Sequence, residues 1–204
     1  AGEERVLTCD LGGTSFDVSV VRDDRIEIIT QGEIDQLPVR VPMIEIRTIG
    51  AGGGSIARVD ATRRVTVGPE SEGALPGPVC YGHGGTEPTV TDANLLLGRL
   101  DAAYFLGGAM ALDLDGARQA LDNNFARPLG LDVEHAANGI IAITNTSLAA
   151  AIRVSLFEKG LDPRDFTLLS FGGAGAIHAC AVADELGVTR IVFPTHASTF
   201  SAWG

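Results

Sequence analysis

Two β-rich runs near the start of the chain are joined by a turn that contains adjacent glycines. The runs are Val6 to Asp10 and Phe16 to Val21, and Gly12-Gly13-Thr14-Ser15 connects them. Short runs of β-branched residues bounded by turn residues are typical of strands, and a glycine pair between two runs is typical of a hairpin. A third run, Arg25 to Thr30, follows a turn at Asp23-Asp24, so the sequence predicts a three-stranded antiparallel meander.

The last part of the chain alternates between strand and helix patterns. We predict strands at Phe166 to Phe171 and Arg190 to Phe193, a helix at Ala174 to Leu186, and the start of another helix at Ser198 to Gly204. A meander followed by β-α-β-α is the element order of an RNase H-like α/β lobe with a mixed sheet, in which the later strands pair in parallel.

The middle of the chain has a different composition. It is dense in Gly and Pro, with strand-like pieces at Met43 to Ile49 and Arg64 to Val67 and no helical periodicity before Pro88. We therefore predict an inserted, loop-rich subdomain at residues 32–114, and an RNase H-like lobe formed by residues 1–31 and 115–204.

Helical signals follow the loop-rich stretch. A short helix is predicted from about Asp92 to Arg99, and a second opens behind Asp115 as its N-cap and runs to about Phe125. A long helix from about Val133 to Lys159 carries an apolar stripe and ends at Gly160, a natural residue after a helix end.

Charge and composition exclude several kinds of partner. A formal net charge of -11 repels nucleic-acid phosphates and anionic membranes, so we expect neither as a partner. No stretch approaches the roughly 20 uninterrupted apolar residues of a membrane span. Lys159 is the only lysine, and the lack of a Gly-Lys-Ser or Gly-Lys-Thr element eliminates a Walker A loop. A phosphate site in this chain must therefore rely mainly on backbone amides.

The cysteines and the chain ends bear on the cellular compartment of the protein and on whether the chain is a fragment. Cys9, Cys80 and Cys180 are widely spaced without a Cys-x-x-Cys pair, which argues against a disulfide framework or a zinc knuckle. The N-terminus lacks the layout of a signal peptide, and we expect a cytoplasmic protein with a small-molecule ligand. The chain begins without Met and stops where a helix is starting, so we expect a fragment of a longer protein.

The first hairpin turn is a candidate phosphate site. Its glycines let the backbone pass close to a ligand, and Thr14 and Ser15 add hydroxyl donors. Asp10 and Asp17 flank the turn, and a carboxylate beside bound phosphates is usually compatible only with Mg²⁺ that neutralises the repulsion. The alternative from the motif alone is a hairpin with a glycine-rich turn and two solvated aspartates.

A second glycine-rich loop, Phe171-Gly-Gly-Ala-Gly-Ala-Ile-His178, follows a hydrophobic strand and opens a helix. Unpaired amides and the helix dipole favour an anion or a polar ligand edge at such a position. The loop is not a dinucleotide fingerprint, because Ala176, Ile177 and His178 stand where a third glycine is required. Close packing of strand against helix is the structural alternative.

Other polar and glycine-rich segments leave two interpretations open. The run Gly50-Ala-Gly-Gly-Gly-Ser-Ile56 is either a nest of amides that approaches an anion or substrate, or a flexible loop. Asp92 is either a residue of a helix start or a substrate contact. A structural role is favoured for Cys80-Tyr-Gly-His83 over a metal site, and for the lone His178 and His196 over ligand binding.

Five motifs in this order resemble the hydantoinase A family, which includes 5-oxoprolinase and acetone carboxylase subunits. That family belongs to the superfamily of sugar kinases, actin and heat-shock ATPases, whose nucleotide lies between two RNase H-like lobes, and this chain resembles the second lobe. The motifs are Asp10-Leu-Gly-Gly-Thr-Ser-Phe-Asp-Val18, Ile49-Gly-Ala-Gly-Gly-Gly-Ser-Ile-Ala57, Leu75-Pro-Gly-Pro-Val-Cys-Tyr-Gly82, Pro88-Thr-Val-Thr-Asp-Ala-Asn94 and Phe171-Gly-Gly-Ala-Gly175.

The resemblance implies a role for each candidate residue. Asp10 and Asp17 are the candidate catalytic carboxylates, and one of them, Asp10 first, would assist Mg²⁺ through water. The implied phosphate contacts are Gly12, Gly13, Thr14 and Ser15; the implied adenosine contacts are Gly172, Gly173 and Gly175; the implied substrate contacts are Gly52, Gly53, Gly54, Ser55 and Asp92. The chain departs from the family pattern at Phe16, at Ala176 and in residues 195–201.

The implied function is the ATP-dependent opening of a cyclic amide such as a hydantoin or 5-oxoproline, with the amide oxygen phosphorylated before water attacks. The implied cofactors are ATP and Mg²⁺, and the implied partners are the first lobe of the same polypeptide and a hydantoinase B-like subunit. The fragment alone is expected to be inactive. Two alternatives stay open: a subunit of an ATP-dependent ketone carboxylase, and a non-catalytic ATP-responsive scaffold lobe.

Overall fold

The computed structural model describes residues 2–23, 25–34 and 37–203, without the side chains of residues 33 and 34. Asp24, in the second predicted turn, and Gly204, in the predicted tail helix, lie outside the described residues. Within the described ranges the chain forms two compact units. The first unit comprises residues up to 10, 17–48 and from 149 onwards, and the second comprises residues 11–16 and 49–148.

Short strands dominate the first half of the chain and helices the second. The strands are β1 Arg5–Leu11, β2 Phe16–Arg22, β3 Arg25–Ile26, β4 Ile28–Ile29, β5 Gly32–Ile34, β6 Leu37–Val39, β7 Met43–Ile44, β8 Arg47–Ile49, β9 Ser55–Val59, β10 Val65–Ser71, β11 Thr167–Phe171 and β12 Ile191–Val192. The helices are α1 Val90–Leu96, α2 Leu114–Leu121, α3 Arg127–Leu129, α4 Val133–Phe157, α5 Gly175–Leu186 and α6 Phe200–Trp203.

The first unit is built on a mixed sheet with the strand order β12-β11-β1-β2-β3, and β8 also pairs with β2. β1, β11 and β12 run in parallel, and β2 and β3 run antiparallel. The predicted α/β fold with a mixed sheet and parallel later strands is therefore confirmed. The predicted third strand is shorter than expected, because β4 leaves the main sheet and pairs with β7.

The two faces of the main sheet differ in polarity. Along β1 and β2, buried apolar side chains alternate with half-exposed polar ones, as the pleat of a strand requires. The buried set includes Leu7, Cys9, Val18 and Val20. The opposite face carries Thr8, Asp10, Asp17 and Ser19. The alternation therefore places both candidate carboxylates on the polar face of the sheet.

A lysine joins the small β4–β7 ribbon to the residues that follow α4. The ammonium of Lys159 donates hydrogen bonds to Glu27, at 2.8 Å, and to Glu45. Partial burial opposes the charge, yet these hydrogen bonds raise the pKa of Lys159 overall. Lys159 is therefore a charged structural anchor at neutral pH.

The second unit has its own core around the antiparallel pair β9–β10 and the helices α1 and α2. Side chains from β9, α1, the π-helical segment Asp122–Ala126 and the first half of α4 pack together there. They include Ala57, Val90, Phe125 and Ile140.

The observed units differ from the predicted division of the chain. The helical pattern predicts residues 115–148 in the lobe, but their apolar faces pack on α1 and β9 of the second unit. The turn at residues 11–16 also belongs to the second unit, whereas residues 32–48, which the sequence predicts in the insert, belong to the first. Helix α2 is capped by Asp113, whose carboxylate accepts from Gly116 N–H at 2.9 Å, rather than by Asp115.

Among the described residues, one helix has the length and hydropathy of a membrane span. This helix is α4, whose most apolar window has a mean hydropathy of 1.6, and half of that window is buried inside the protein. Its residues Ala136, Ala137, Ile140 and Ile141 belong to the core of the second unit. The apolar character of that stretch is therefore used in internal packing.

Candidate functional site

The turn between β1 and β2 presents free backbone N–H groups. Gly12 N–H donates to Ser15 O at 3.1 Å and closes the turn. Gly13 and Thr14 are exposed, and within the described part of the chain their N–H groups donate no hydrogen bond. A Cβ atom placed on Gly13 would meet nothing within 4 Å. This side of the turn can therefore receive the oxygens of an anion.

The carbonyl side of the same turn rests on the third glycine-rich run. Gly53 N–H donates to Gly12 O at 3.1 Å, and Gly54 N–H donates to Gly13 O at 2.7 Å. A Cβ atom on Gly52 would lie 2.6 Å from the carbonyl carbon and oxygen of Gly13. The turn is thus supported by backbone contacts that only a glycine at position 52 permits.

The amides of this supporting run are themselves engaged. Gly52 N–H donates to Ser55 Oγ at 2.9 Å, and Ser55 N–H donates to Gly52 O at 3.1 Å. The run from Gly52 to Ser55 is buried. It therefore offers no free amide from these residues to an anion, and its predicted contact with substrate stays a prediction.

Helix α1 continues the support on the far side of the run. Both the N–H and the Oγ1 of Thr91 donate to Gly53 O, at 2.7 and 2.8 Å. Glu72 N–H donates to Gly54 O at 3.0 Å. Backbone hydrogen bonds therefore connect the first turn of α1, through the triglycine run Gly52-Gly53-Gly54, to the carbonyls of the hairpin.

Asp92 fixes the start of α1. It is 0% exposed, and its carboxylate accepts hydrogen bonds from the N–H groups of Val79, Cys80 and Thr89 and from Thr89 Oγ1. Thr89 and Asp92 together form a capping box. Of the two roles that the sequence left open, the structure shows the helix-start role; a contact of Asp92 with substrate stays a prediction.

The carboxylates of Asp10 and Asp17 lie on the polar face of the main sheet. Ser201 Oγ donates to Asp10 Oδ2 at 2.5 Å, and Thr48 Oγ1 donates to Asp17 Oδ1 at 2.5 Å. All four residues line one open groove of about 530 Å³. Thr48 and Ser201 were missed by the sequence reasoning because they are 31 and 191 residues distant from their partners, and no local spacing signals them.

This arrangement fits a hydrated magnesium ion better than a cage of protein ligands. In the described ranges no three His, Cys, Asp or Glu side chains form a group that could hold a metal ion. Mg²⁺ in nucleotide sites commonly keeps several waters and uses one or two carboxylates together with phosphate oxygens. Asp10 and Asp17 can serve such an ion through water.

The second glycine-rich loop leads from β11 into the 12-residue helix α5. Gly172 has φ +87° and its N–H donates to Ala197 O at 2.9 Å. A Cβ atom on Gly175 would lie 2.9 Å from Ser170 Oγ, whereas one on Gly173 would meet nothing within 4 Å. Gly172 and Gly175 therefore have local structural reasons to be glycine, and no described residue supplies such a reason at Gly173.

β1 leads into the hairpin turn and β11 leads into the second glycine-rich loop, and these two strands end side by side. β1 and β11 are parallel, and Asp10 is the register partner of Phe171. Ligands of open α/β sheets bind outside the carboxyl ends of parallel strands. The carboxyl ends of β1 and β11 are therefore where this sheet is suited to bind a ligand.

Cys9, Cys80 and His178 are buried. Cys9, Cys80 and Cys180 are free thiols. Burial raises the pKa of Cys9, and burial together with the charge of Asp92 raises the pKa of Cys80, so neither supplies a thiolate at neutral pH. His178 is 1% exposed and belongs to the interior of the protein.

Comparison with known proteins finds relatives that are named as subunits of larger enzymes. The family model described as hydantoinase/oxoprolinase matches residues 1–204. The alpha subunit of caprolactamase from Pseudomonas jessenii is 46% identical over 203 residues, which are 100% of this chain and 29% of that protein. The gamma subunit of acetophenone carboxylase from Aromatoleum aromaticum is 42% identical over 205 residues, 100% of this chain and 28% of that protein.

Solved structures of the same kinds of enzyme are similar to this chain. A nucleotide-free structure of acetone carboxylase, whose carboxylation is described as ATP-dependent, has a TM-score of 0.93 at 35% identity and covers 99% of this chain and 29% of that one. The crystal structure of ATP-dependent caprolactamase from Pseudomonas jessenii has a TM-score of 0.91 at 46% identity, with the same coverage. The chain thus spans 28–29% of the length of these relatives.

Proposed function

Because this chain belongs to the hydantoinase/oxoprolinase family, as its five motifs predicted, we propose that it is part of an ATP-dependent enzyme that opens a cyclic amide. The observation that carries the proposal is the hairpin, in which the exposed N–H groups of Gly13 and Thr14 donate no hydrogen bond among the described residues, while the carbonyls of Gly12 and Gly13 accept from Gly53 and Gly54. Such a turn suits the phosphate oxygens of a nucleotide. The caprolactamase relative, whose name denotes a lactam substrate, supports the cyclic amide.

The chemistry explains why such an enzyme uses ATP. An amide in a small ring is a stable bond, and phosphorylation of its oxygen creates a leaving group, which lowers the barrier to attack by water. The N–H groups of Gly13 and Thr14 would stabilise negative charge on the phosphoryl oxygens. Mg²⁺, when bound, would neutralise part of the same charge. Asp10 and Asp17 would hold the water shell of that ion from the polar face of the sheet.

The second loop is proposed to border the adenosine of the nucleotide. Gly173 is the informative position, because the protein itself leaves open the space in front of it. Gly172 and Gly175 would shape the loop through their backbone conformation and their closeness to Ser170. The triglycine run and Asp92 are proposed to act on catalysis by supporting the hairpin.

A second candidate function is that of a ketone carboxylase subunit. Two relatives, acetophenone carboxylase and acetone carboxylase, favour it, since both are named for the carboxylation of a ketone. Both functions would use the same hairpin, and they differ in the substrate activated. The relatives are named as subunits, which supports a partner subunit for this chain, and their greater length supports a first lobe in the same polypeptide.

A substrate assay separates the two functions. The intact polypeptide with its partner subunits is assayed for ATP turnover with 5-oxoproline, hydantoin or caprolactam, and separately with acetone or acetophenone plus bicarbonate. We expect a cyclic amide to stimulate turnover. Stimulation only by a ketone together with bicarbonate would replace the first candidate by the second.

The phosphate site itself is tested by a single added methyl group. Gly13→Ala places a Cβ where the protein leaves space, so the fold is kept, but bound phosphates would be displaced. We expect the affinity for a non-hydrolysable ATP analogue to fall at least about tenfold, the result of roughly 1–3 kcal/mol of overpacking. Gly139→Ala in α4, which is equally free of contacts, is the control. Unchanged nucleotide affinity in Gly13→Ala would place the phosphates elsewhere.

A further inference from the structure

Asp10 and Asp17 flank the hairpin in the sequence, and each carboxylate accepts a hydrogen bond from a hydroxyl group of a remote element. Asp17 accepts from Thr48 of β8, and Asp10 accepts from Ser201 of α6. These four side chains lie in the same open groove of the first unit. The pairs are alike in chemistry, although their donors come from different parts of the sequence.

These hydrogen bonds contribute little to the stability of the fold. Thr48 and Ser201 are exposed and Asp10 and Asp17 are half-buried, so water could satisfy each group if its partner were removed. A hydroxyl that donates to a carboxylate does, however, fix the rotation of that carboxylate, and hydrogen bonds to ionised acceptors are the stronger ones. The main physical consequence is therefore orientation.

A neighbouring pair on the same face shows a different arrangement. Thr8 Oγ1 and Ser19 Oγ lie 2.6 Å apart and bond to one another. Ser19 is two residues from Asp17 on β2 and also lines the groove. Its hydroxyl does not bond to either carboxylate among the described residues, so it provides a matched comparison for Thr48.

We propose that Thr48 and Ser201 are positioning residues that orient the carboxylates of Asp17 and Asp10 toward the water shell of a nucleotide-bound divalent cation. The proposal rests on the function proposed above, and it adds two residues that no motif signals. Partners that orient the groups serving a metal ion typically change its affinity by about 10–100-fold when they are removed.

The test measures cation binding rather than turnover. Mn²⁺ is titrated into the intact enzyme, with its partner subunits and a non-hydrolysable ATP analogue, and free Mn²⁺ is followed by electron paramagnetic resonance. We expect Thr48→Val and Ser201→Ala to weaken Mn²⁺ binding about tenfold. Thr48→Ser and Ser201→Thr keep the hydroxyl and should restore binding to within about twofold, and Ser19→Ala should leave it unchanged.

A double-mutant cycle shows whether the hydroxyl acts through the carboxylate. If it does, Thr48→Val has no further effect on Mn²⁺ affinity in an Asp17→Asn background. Weakening by Asp17→Asn with no effect of Thr48→Val would overturn the positioning role and leave the proposed function intact. If neither Asp17→Asn nor Asp10→Asn changes Mn²⁺ affinity, the carboxylates do not serve the cation. The positioning role is then overturned, and the proposed function loses its cation site at Asp10 and Asp17. Additive losses in the double variant would also overturn the positioning role.

Discussion

The hairpin at residues 12–15 and the loop at residues 172–175 have similar compositions, but their backbones are held in different ways. The hairpin contacts a second backbone segment, in which Gly52 packs against the peptide of Gly13 at a distance that no Cβ at position 52 allows. The loop depends on a local backbone conformation, at Gly172 with φ +87°. The hairpin is braced, by which we mean that backbone contacts from residues 52–54 support it. The conformation of the loop is set by its own dihedral angles. Glycine content alone therefore does not reveal how the backbone of a glycine-rich segment is held.

The largest effect in this comparison is expected from Gly52→Ala. Its added methyl carbon meets backbone atoms, which cannot move aside as a flexible side chain can. We expect the free energy of unfolding to fall by about 3 kcal/mol, at the upper end of overpacking costs, and the affinity for nucleotide to fall with it because the hairpin loses its support. Thermal and denaturant unfolding of the intact protein measure the first, with Gly139→Ala as control. A fully stable Gly52→Ala protein would show that the hairpin is not braced.

The support of the hairpin is also tested at Asp92, which fixes the start of α1 and so the position of Thr91, whose hydroxyl donates to Gly53 O. Asp92→Asn keeps the size of the side chain but replaces one acceptor oxygen with a donor, which faces the N–H groups now bonded to the carboxylate. We expect a loss of about 2 kcal/mol in the free energy of unfolding. Asp113→Asn is the matched control, because that N-cap carboxylate is exposed and an Asn is an equally good cap. Equal stability of the two variants would contradict the structural role of Asp92.

The brace was also the part of the site that the sequence could not predict. The three glycine-rich segments, the two aspartates and the mixed sheet all have local signals, either a periodicity or a turn motif. The contact of Gly52 with Gly13 joins segments 39 residues apart in the sequence, and nothing in either motif encodes that pairing. The triglycine run was therefore interpreted as an open nest or a flexible loop, whereas its amides are bonded and its residues buried.

The domain boundary was missed for a related reason. Helical periodicity identifies an apolar face in residues 115–148, but it does not tell which neighbour that face packs against. The core around Phe125 and Ile140 assigns these residues to the second unit, together with residues 49–114 of the predicted insert. Local patterns thus predicted β1, β2, β11 and the longer helices, but they missed β5, β6 and β9. The long-range packing that selects the partners of each element required the structure.

A smaller effect is expected in the second loop, from Gly172→Ala. A left-handed backbone conformation, as at Gly172, costs an alanine about 1 kcal/mol relative to glycine. The free energy of unfolding of the intact protein should fall by about this amount, clearly less than for Gly52→Ala. A loss as large as that of Gly52→Ala would show that this loop is braced by packing in the same way as the hairpin.

The smallest effect on stability, and the most informative about the ligand, is expected from Gly173→Ala. Its φ is not in the left-handed region and its Cβ would meet nothing within 4 Å, so the free energy of unfolding should change by less than about 0.5 kcal/mol, as at a surface position. The affinity for a non-hydrolysable ATP analogue, measured by calorimetry on the intact enzyme, should nevertheless fall about tenfold, because a bound adenosine needs the space in front of this residue. A stable Gly173→Ala protein with normal nucleotide affinity would mean that the open space at Gly173 is only solvent. In that case the braced hairpin would remain the one segment of the two with a reason to be a nucleotide site.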